Sequence, residues 1–234
     1  MIADALNATS TPDRSVFYTS GRTSNEAAFL YQAFVRAYGT NNLPDCSNMC
    51  HESSGKGLVQ TVGIGKGTVN LQDFDKAEVI LVIGQNPGTN HPRMLTALRD
   101  AKDAGATIVH VNPLSEAGLT RFKHPQEYMK GRLRSTTLAD HHLQVRIGGD
   151  AALLKGLIKC QLEAGAVDAD FVEQKTVDFE AMAESARSTP WKKIVQDSGI
   201  SKADILEVGA ILASSKATIA CLSLIHISEP TRQI

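Results

Sequence analysis

The stretch from residue 79 to residue 111 constrains the fold more than any other part of the chain. Val79-Ile80-Leu81-Val82-Ile83 is an unbroken run of branched aliphatic side chains ending at Gly84. Such a run, bounded by a turn, reads as a strand buried on both faces. A second run, Thr107-Ile108-Val109-His110-Val111, follows a segment in which Met94 or Leu95, Leu98 and Ala101 recur at helical spacing and Gly105 closes the helix. Strand, helix and strand within roughly thirty residues form a βαβ unit, so the strands are expected to be parallel with a right-handed crossover. The expected fold class is α/β, a Rossmann-like parallel sheet flanked by helices.

Other elements follow from caps and periodicity. Ser24 or Asn25 caps a helix running to Tyr38, with Phe29, Leu30, Ala33, Phe34 and Ala37 at helical spacing and Gly39 as its stop. Residues 15–19, which bring Val, Phe and Tyr together, read as a strand, and residues 41–57 and 63–67 as loops. Residues 85–89 read as a tight turn, after which Asn90 caps the crossover helix with Pro92 in its first turn. Residues 112–142 are polar and basic without a period, and a connection that long points to a functional loop or an insertion. Residues 143–147 read as a short strand, followed by Gly148-Gly149-Asp150, with Asp150 capping a helix through Ala164. Helices are expected over residues 169–175, 179–187, 190–197 and 201–213, then a strand over 217–221.

The turn Gly84-Gln85-Asn86-Pro87-Gly88 leaves the carboxyl end of a parallel strand, where open α/β sheets bind ligands and helix N-termini favour phosphate. Asn112 leaves the next strand where nucleotide-binding folds place a ribose contact. A purely structural turn is the equal alternative. No G-x-G-x-x-G follows the first strand, Gly65-Lys66 is followed by Gly67 rather than Ser or Thr, and there is no G-x-S-x-G. Cys46-x-x-x-Cys50-His51 is the one dense patch of soft ligands. It has three readings: a zinc site lacking its second ligand pair, ordinary buried cysteines, or a reactive thiolate beside a proton-handling imidazole.

Composition narrows the function classes. Lys plus Arg number 24 against 25 Asp plus Glu, a net charge of −1, and aromatics are 5%, so neither a basic nucleic-acid footprint nor a base-stacking platform is expected. No apolar run is long enough for a membrane segment, and residues 1–12 lack a basic stretch followed by an apolar one, so a cytoplasmic address is expected. The four cysteines are too few and too unevenly spaced for a disulfide framework.

Several segments, taken in order, resemble the molybdopterin oxidoreductase family, and most closely its formate-dehydrogenase-like alpha subunits. They are Ser20-Gly21-Arg22-Thr23-Ser24-Asn25-Glu26, residues 39–51 ending in Cys50-His51, Gly84-Gln85-Asn86-Pro87, Val111-Asn112-Pro113 and Gly148-Gly149-Asp150-Ala151-Ala152-Leu153-Leu154. The resemblance implies part of a larger molybdoenzyme that carries molybdenum with bis-molybdopterin guanine dinucleotide and performs two-electron redox chemistry on a small, formate-like substrate. It implies that Cys50 is the metal ligand and His51 the proton-handling group, that Arg22 approaches a pterin, and that Ile83, Gly84, Gln85, Asn86, Pro87, Gly88, Thr89 and Asn90 form the first nucleotide-binding turn. Asn112 and Pro113 fall on the second such turn, and Gly148, Gly149 and Asp150 on the third. The implied partners are the small-molecule substrate and an electron-transfer subunit. No Cys-x-x-Cys-x-x-x-Cys precedes Val16, so a [4Fe–4S] site is not visible, and the 112–142 loop looks longer than in formate dehydrogenases.

Leu222 through Arg232 resembles the translation of a transposase-based sequencing adaptor. The expected division is therefore a lead-in over 1–14, a cofactor-binding region over 15–221 and a non-native tail over 222–234. A fragment of this kind is expected to be inactive alone. The runner-up is a non-catalytic dinucleotide-binding α/β module in which Cys46, Cys50 and His51 are structural.

Overall fold

The computed structural model describes residues 1–19, 23–44, 52–65, 67–125 and 135–222. The chain divides into two compact units, Met1–Gly67 and Thr68–Ile234.

In the first unit the described helices are α1 (Ile2–Asn7), α2 (Asn25–Tyr38) and α3 (Glu52–Val62). Both ends of α2 are built as expected. The Ser24 hydroxyl accepts from the Ala27 N–H, and Gly39 takes φ +107°, a left-handed conformation that favours glycine. Residues 15–19 form no strand. Phe17 instead buries its ring edge-on among Tyr31, Phe34 and Tyr38 of α2, at centroid distances of 6.2, 5.9 and 5.5 Å. Aromatic clustering, not sheet pairing, is what this segment does. Phe29 and Leu30 stay exposed. Residues 52–57, expected as loop, begin α3 despite Gly55 and Gly57.

The second unit is built on a parallel sheet of β1 (Val79–Ile83), β2 (Thr107–Val111), β3 (His141–Leu143) and β4 (Thr218–Leu222), in the order β3-β2-β1-β4 among the described residues. Every residue of β1 is buried, as its apolar run requires. Side chains alternate between two faces. Val79, Leu81, Ile83, Val109 and Val111 pack under α7 (Asp150–Glu163), α10 (Trp191–Ser198) and α11 (Lys202–Ser214). Ile80, Val82, Ile108 and Ile219 pack under the crossover helix α5 (Met94–Asp103), through Leu95, Leu98 and Ala101. Ile80, Leu98 and Ile108 are fully buried, each worth about 1.5–3 kcal/mol of hydrophobic stabilisation. Two short helices, α4 (Pro87–Asn90) and α6 (Ala117–Thr120), sit in the loops after β1 and β2, and α8 (Ala169–Lys175) and α9 (Phe179–Ser188) complete the helical layer.

Three expectations need correcting, and the first residue of the expected tail has a place in the sheet. The crossover helix starts at Met94, not after Asn90, because the residue before a proline is kept out of the helical region, and His91 lies at φ −141° and ψ 61°. Asn86 caps the short α4 instead. The strand expected over 143–147 is His141–Leu143, since Val145 already turns away with its N–H on the Leu143 carbonyl. Gly149 occupies the cap of α7 and Asp150 is its first helical residue. Leu222, assigned to the tail, is the last residue of β4, opposite Ile83. Parallel pairing uses backbone groups, so it does not depend on which side chain stands there. Residues 223–234 lie outside the described residues.

Candidate functional site

β1 and β2 end level, Ile83 opposite Val111. The Gly84 N–H donates to the Val111 carbonyl at 2.8 Å and the Asn112 N–H to the Leu143 carbonyl at 3.2 Å. Three parallel strands thus deliver the chain to one carboxyl edge. Gly84 turns out of the sheet at φ +65°, in the left-handed region.

The loops after β1 and β2 are joined side by side. Asn86 Oδ1 accepts from the Thr89 N–H at 3.2 Å, capping α4, and Asn86 Nδ2 donates to Glu116 Oε2. Gly88 meets Gly118: a Cβ at Gly118 would lie 3.0 Å from the Gly88 Cα. Asn112 is 2% exposed. Its Nδ2 donates to the Gln85 carbonyl at 3.4 Å and its Oδ1 accepts from the Leu114 N–H at 3.0 Å. Both asparagine amides therefore hold the loops in shape. Pro87 is buried, Pro113 is half-buried with its carbonyl accepting from Gln144 Nε2 at 2.9 Å, and Gly88, Thr89 and Asn90 are exposed along the edge. With α4 only four residues long, its helix dipole contributes little, contrary to the expectation that the turn opens a full helix.

Gln85 lies across the boundary between β1 and β4. The crossover from β1 runs to β2 on one side, and β4 lies on the other. That boundary is the topological switch point at which open sheets take ligands. Gln85 Nε2 donates to the Leu222 carbonyl at 2.9 Å, and Gln85 Oε1 is buried with no hydrogen-bond partner among the described residues. A buried acceptor without a donor costs about 1–3 kcal/mol. A ligand bringing an N–H or O–H to this crevice fits it.

The third turn is set by packing. Gly148 takes φ +77°, and a Cβ on Gly149 would lie 2.8 Å from the Asp197 carbonyl oxygen and 2.9 Å from the Ser198 Cα. Gly149 is thus required for the approach to the end of α10. Asp150 is buried at the start of α7. The turn follows β3 on the same carboxyl edge as the other two.

Beneath the edge, His110 of β2 stacks on His142 of β3, with centroids 4.8 Å apart and planes 17° from parallel. His142 Nε2 lies 3.1 Å from the Asn112 carbonyl. His110 is 2% exposed. Burial first, and the neighbouring His142 second, lower its pKa to about 4, while the Gln85 backbone acts the other way. Cys160 and Cys221 are free, and burial pushes both thiols up, Cys221 to about 11, which leaves them unreactive packing residues.

Arg22, Cys46, Cys50 and His51 lie outside the described residues. Sequence reasoning missed Glu116, Gly118, His110 and His142. Only the unusual length of the 112–142 connection pointed toward the first two. Among the described residues no helix is long and apolar enough to cross a membrane, and no group of three or more His, Cys, Asp or Glu is placed to hold a metal ion.

Comparison with known proteins agrees with this architecture. The family described as molybdopterin oxidoreductase matches residues 1–206. An uncharacterized oxidoreductase of Mycobacterium tuberculosis is 48% identical over 230 residues, covering 96% of this chain and 30% of that protein. Protein YdeP of Escherichia coli K12 is 47% identical over 234 residues, covering 95% of this chain and 31% of that protein. The F420-dependent formate dehydrogenase subunit alpha of Methanocaldococcus jannaschii is 26% identical over 93% of this chain. The solved acetylene hydratase from Pelobacter acetylenicus shares the fold, with a TM-score of 0.62 and 21% identity over 95% of this chain and 28% of that one. The chain spans about 30% of the length of two of these curated relatives, the Mycobacterium tuberculosis and Escherichia coli proteins. By the family match over residues 1–206, the chain belongs to the molybdopterin oxidoreductase family.

Proposed function

We propose that this chain is the cofactor-holding part of a cytoplasmic, molybdenum-dependent oxidoreductase alpha subunit, formate-dehydrogenase-like in its chemistry. The observation that carries this reading is the family match over residues 1–206. The gathering of residues 84–90, 112–120 and 144–150 on one carboxyl edge supports it. In this reading the edge holds one nucleotide arm of bis-molybdopterin guanine dinucleotide. The Gly88 N–H, at the start of α4, is the backbone donor offered to the phosphates, since those of Thr89 and Asn90 already donate to Asn86, and Gln85 Oε1 accepts from a ligand donor. Bound there, the cofactor would supply a metal centre able to accept two electrons from a small substrate. Cys50 would hold that metal as a thiolate. His51 would take the accompanying proton, because a metal-bound thiolate cannot also serve as base. Arg22 would meet the pterin, and an electron-transfer subunit would be the electron acceptor.

Metal content, pterin content and turnover of the full-length protein test the reading. Cys50→Ser is expected to weaken molybdenum retention and abolish turnover, since serine is a harder and more basic donor. His51→Ala is expected to keep the cofactor and lose rate by roughly 10²–10⁴-fold. Cys46→Ser is expected to be milder than either. Wild-type turnover in Cys50→Ser rejects the ligand role. Equal stability losses at Cys46 and Cys50 with a silent His51 favour the non-catalytic module.

A further inference from the structure

We propose that Glu116 binds the ribose hydroxyls of the nucleotide held at this edge, a role that rests on the reading of the edge as a nucleotide site. Nucleotide-binding α/β folds set an acidic side chain after the second strand, where its two oxygens accept from the vicinal ribose hydroxyls. The residue at that place here is Asn112, which is neutral, 2% exposed and engaged by Gln85 and Leu114. Its amide is buried and holds the loop at both ends, and it carries no charge to offer a hydroxyl. Between Asn112 and Thr120 the one acidic residue is Glu116.

Glu116 stands where α6 begins and is half-buried. Its Oε2 accepts from Asn86 Nδ2, which fixes the carboxylate against the loop after β1, between the two loops of the edge. Among the described residues no hydrogen bond to Oε1 is formed and no Lys or Arg pairs with the carboxylate. An anion held without a cation repels phosphate and attracts hydroxyl donors. Asn86 thus serves two ends: it caps α4 with Oδ1 and aims Glu116 with Nδ2. This assigns the two asparagines to positioning and the glutamate to contact.

The test compares binding of GDP and of 2′,3′-dideoxy-GDP, which keeps the base and phosphates and lacks both hydroxyls, by calorimetry on the full chain and on Glu116→Gln. Gln can still accept from Asn86, so the loop geometry is retained. The unaltered chain is expected to bind GDP about 10–100-fold more tightly than the dideoxy compound, the range for hydrogen bonds to a charged acceptor. In Glu116→Gln the gap is expected to shrink below about threefold through loss of GDP affinity alone. A glutamate that only holds Asn86 leaves the gap unchanged in Glu116→Gln, which overturns the proposal. Equal affinities in the unaltered chain overturn it without any variant, while the nucleotide reading stands. Failure of both nucleotides to bind the unaltered chain removes the nucleotide reading and this role with it.

Discussion

Acid should loosen the second unit through His110, and the size of the effect follows from the structure. The imidazole is 2% exposed, faces His142 at 4.8 Å and has a buried Nε2 with no hydrogen-bond partner among the described residues. Its pKa falls from 6.5 to about 4 in the fold. The folded state therefore binds fewer protons than the unfolded chain between these values, and stability falls as pH falls. The contribution is intact above pH 6.5 and lost progressively as pH drops toward 4. The whole shift corresponds to about 3 kcal/mol, and about 2 kcal/mol is already lost between pH 7.5 and pH 5. Urea unfolding at those two pH values, for the unaltered chain and for His110→Phe, measures it. Phe keeps a ring against His142 and Val82 but cannot titrate. Carboxylates act alike in both proteins, so the difference of differences isolates His110. The unaltered chain should lose about 2 kcal/mol more than His110→Phe, a gap of about 4–8 °C in Tm. Parallel losses, within about 0.5 kcal/mol, would refute the reasoning, because they would mean His110 titrates alike in both states.

Three further substitutions probe the edge and its support. Gly118→Ala places a methyl 3.0 Å from the Gly88 Cα and should cost about 1–3 kcal/mol by thermal melting, with nucleotide binding weakened because the two loops are forced apart. Asn112→Asp replaces a donor to the Gln85 carbonyl by a buried carboxylate, and should lower stability by about 2 kcal/mol at pH 7 with partial recovery in mild acid as it protonates. Lys159 donates to the carbonyls of Arg187 and Thr189 at 2.8 and 2.9 Å, and Lys159→Met should cost about 2 kcal/mol in urea by stranding both acceptors. A neutral result at Lys159 would mean that water replaces the ammonium.

The sheet interior was legible because β1 is uniformly apolar and β2 nearly so, a pattern no surface element shows. Helix α2 was legible because both of its ends carry their own chemistry, Ser24 and Gly39. The start of the crossover helix was not, since proline fits a first helical turn and breaks a ladder equally well, and only the chain around His91-Pro92 decides between them. Leu143, Val145 and Ile147 alternate as a strand would, yet Val145 packs under the helices and Ile147 is 73% exposed. Gly55 and Gly57 disguised α3, each lowering helix propensity by about 1 kcal/mol. The joining of Asn86 to Glu116 spans 30 positions and no local pattern encodes it. The residues of the edge were legible as a group, but which of them reach outward and which hold the loops was a matter of tertiary hydrogen bonding.

The place of β4 in the sheet has a consequence during synthesis. β1 lies in the sheet's interior, yet its partner on one side is β4, and the bond from Gln85 to Leu222 joins residues 137 positions apart. A nascent chain can pair β1 with β2 as soon as the crossover has emerged. Its other edge stays bare until β4 leaves the ribosome, on the order of 10 s later at ordinary elongation rates. The helices made in the meantime cover the faces of the sheet and leave its edge open. During that interval the exposed N–H and C=O groups of a five-residue, wholly apolar strand are a template for any other strand nearby. Polysomes, where identical chains grow side by side, are where β4 faces its competition.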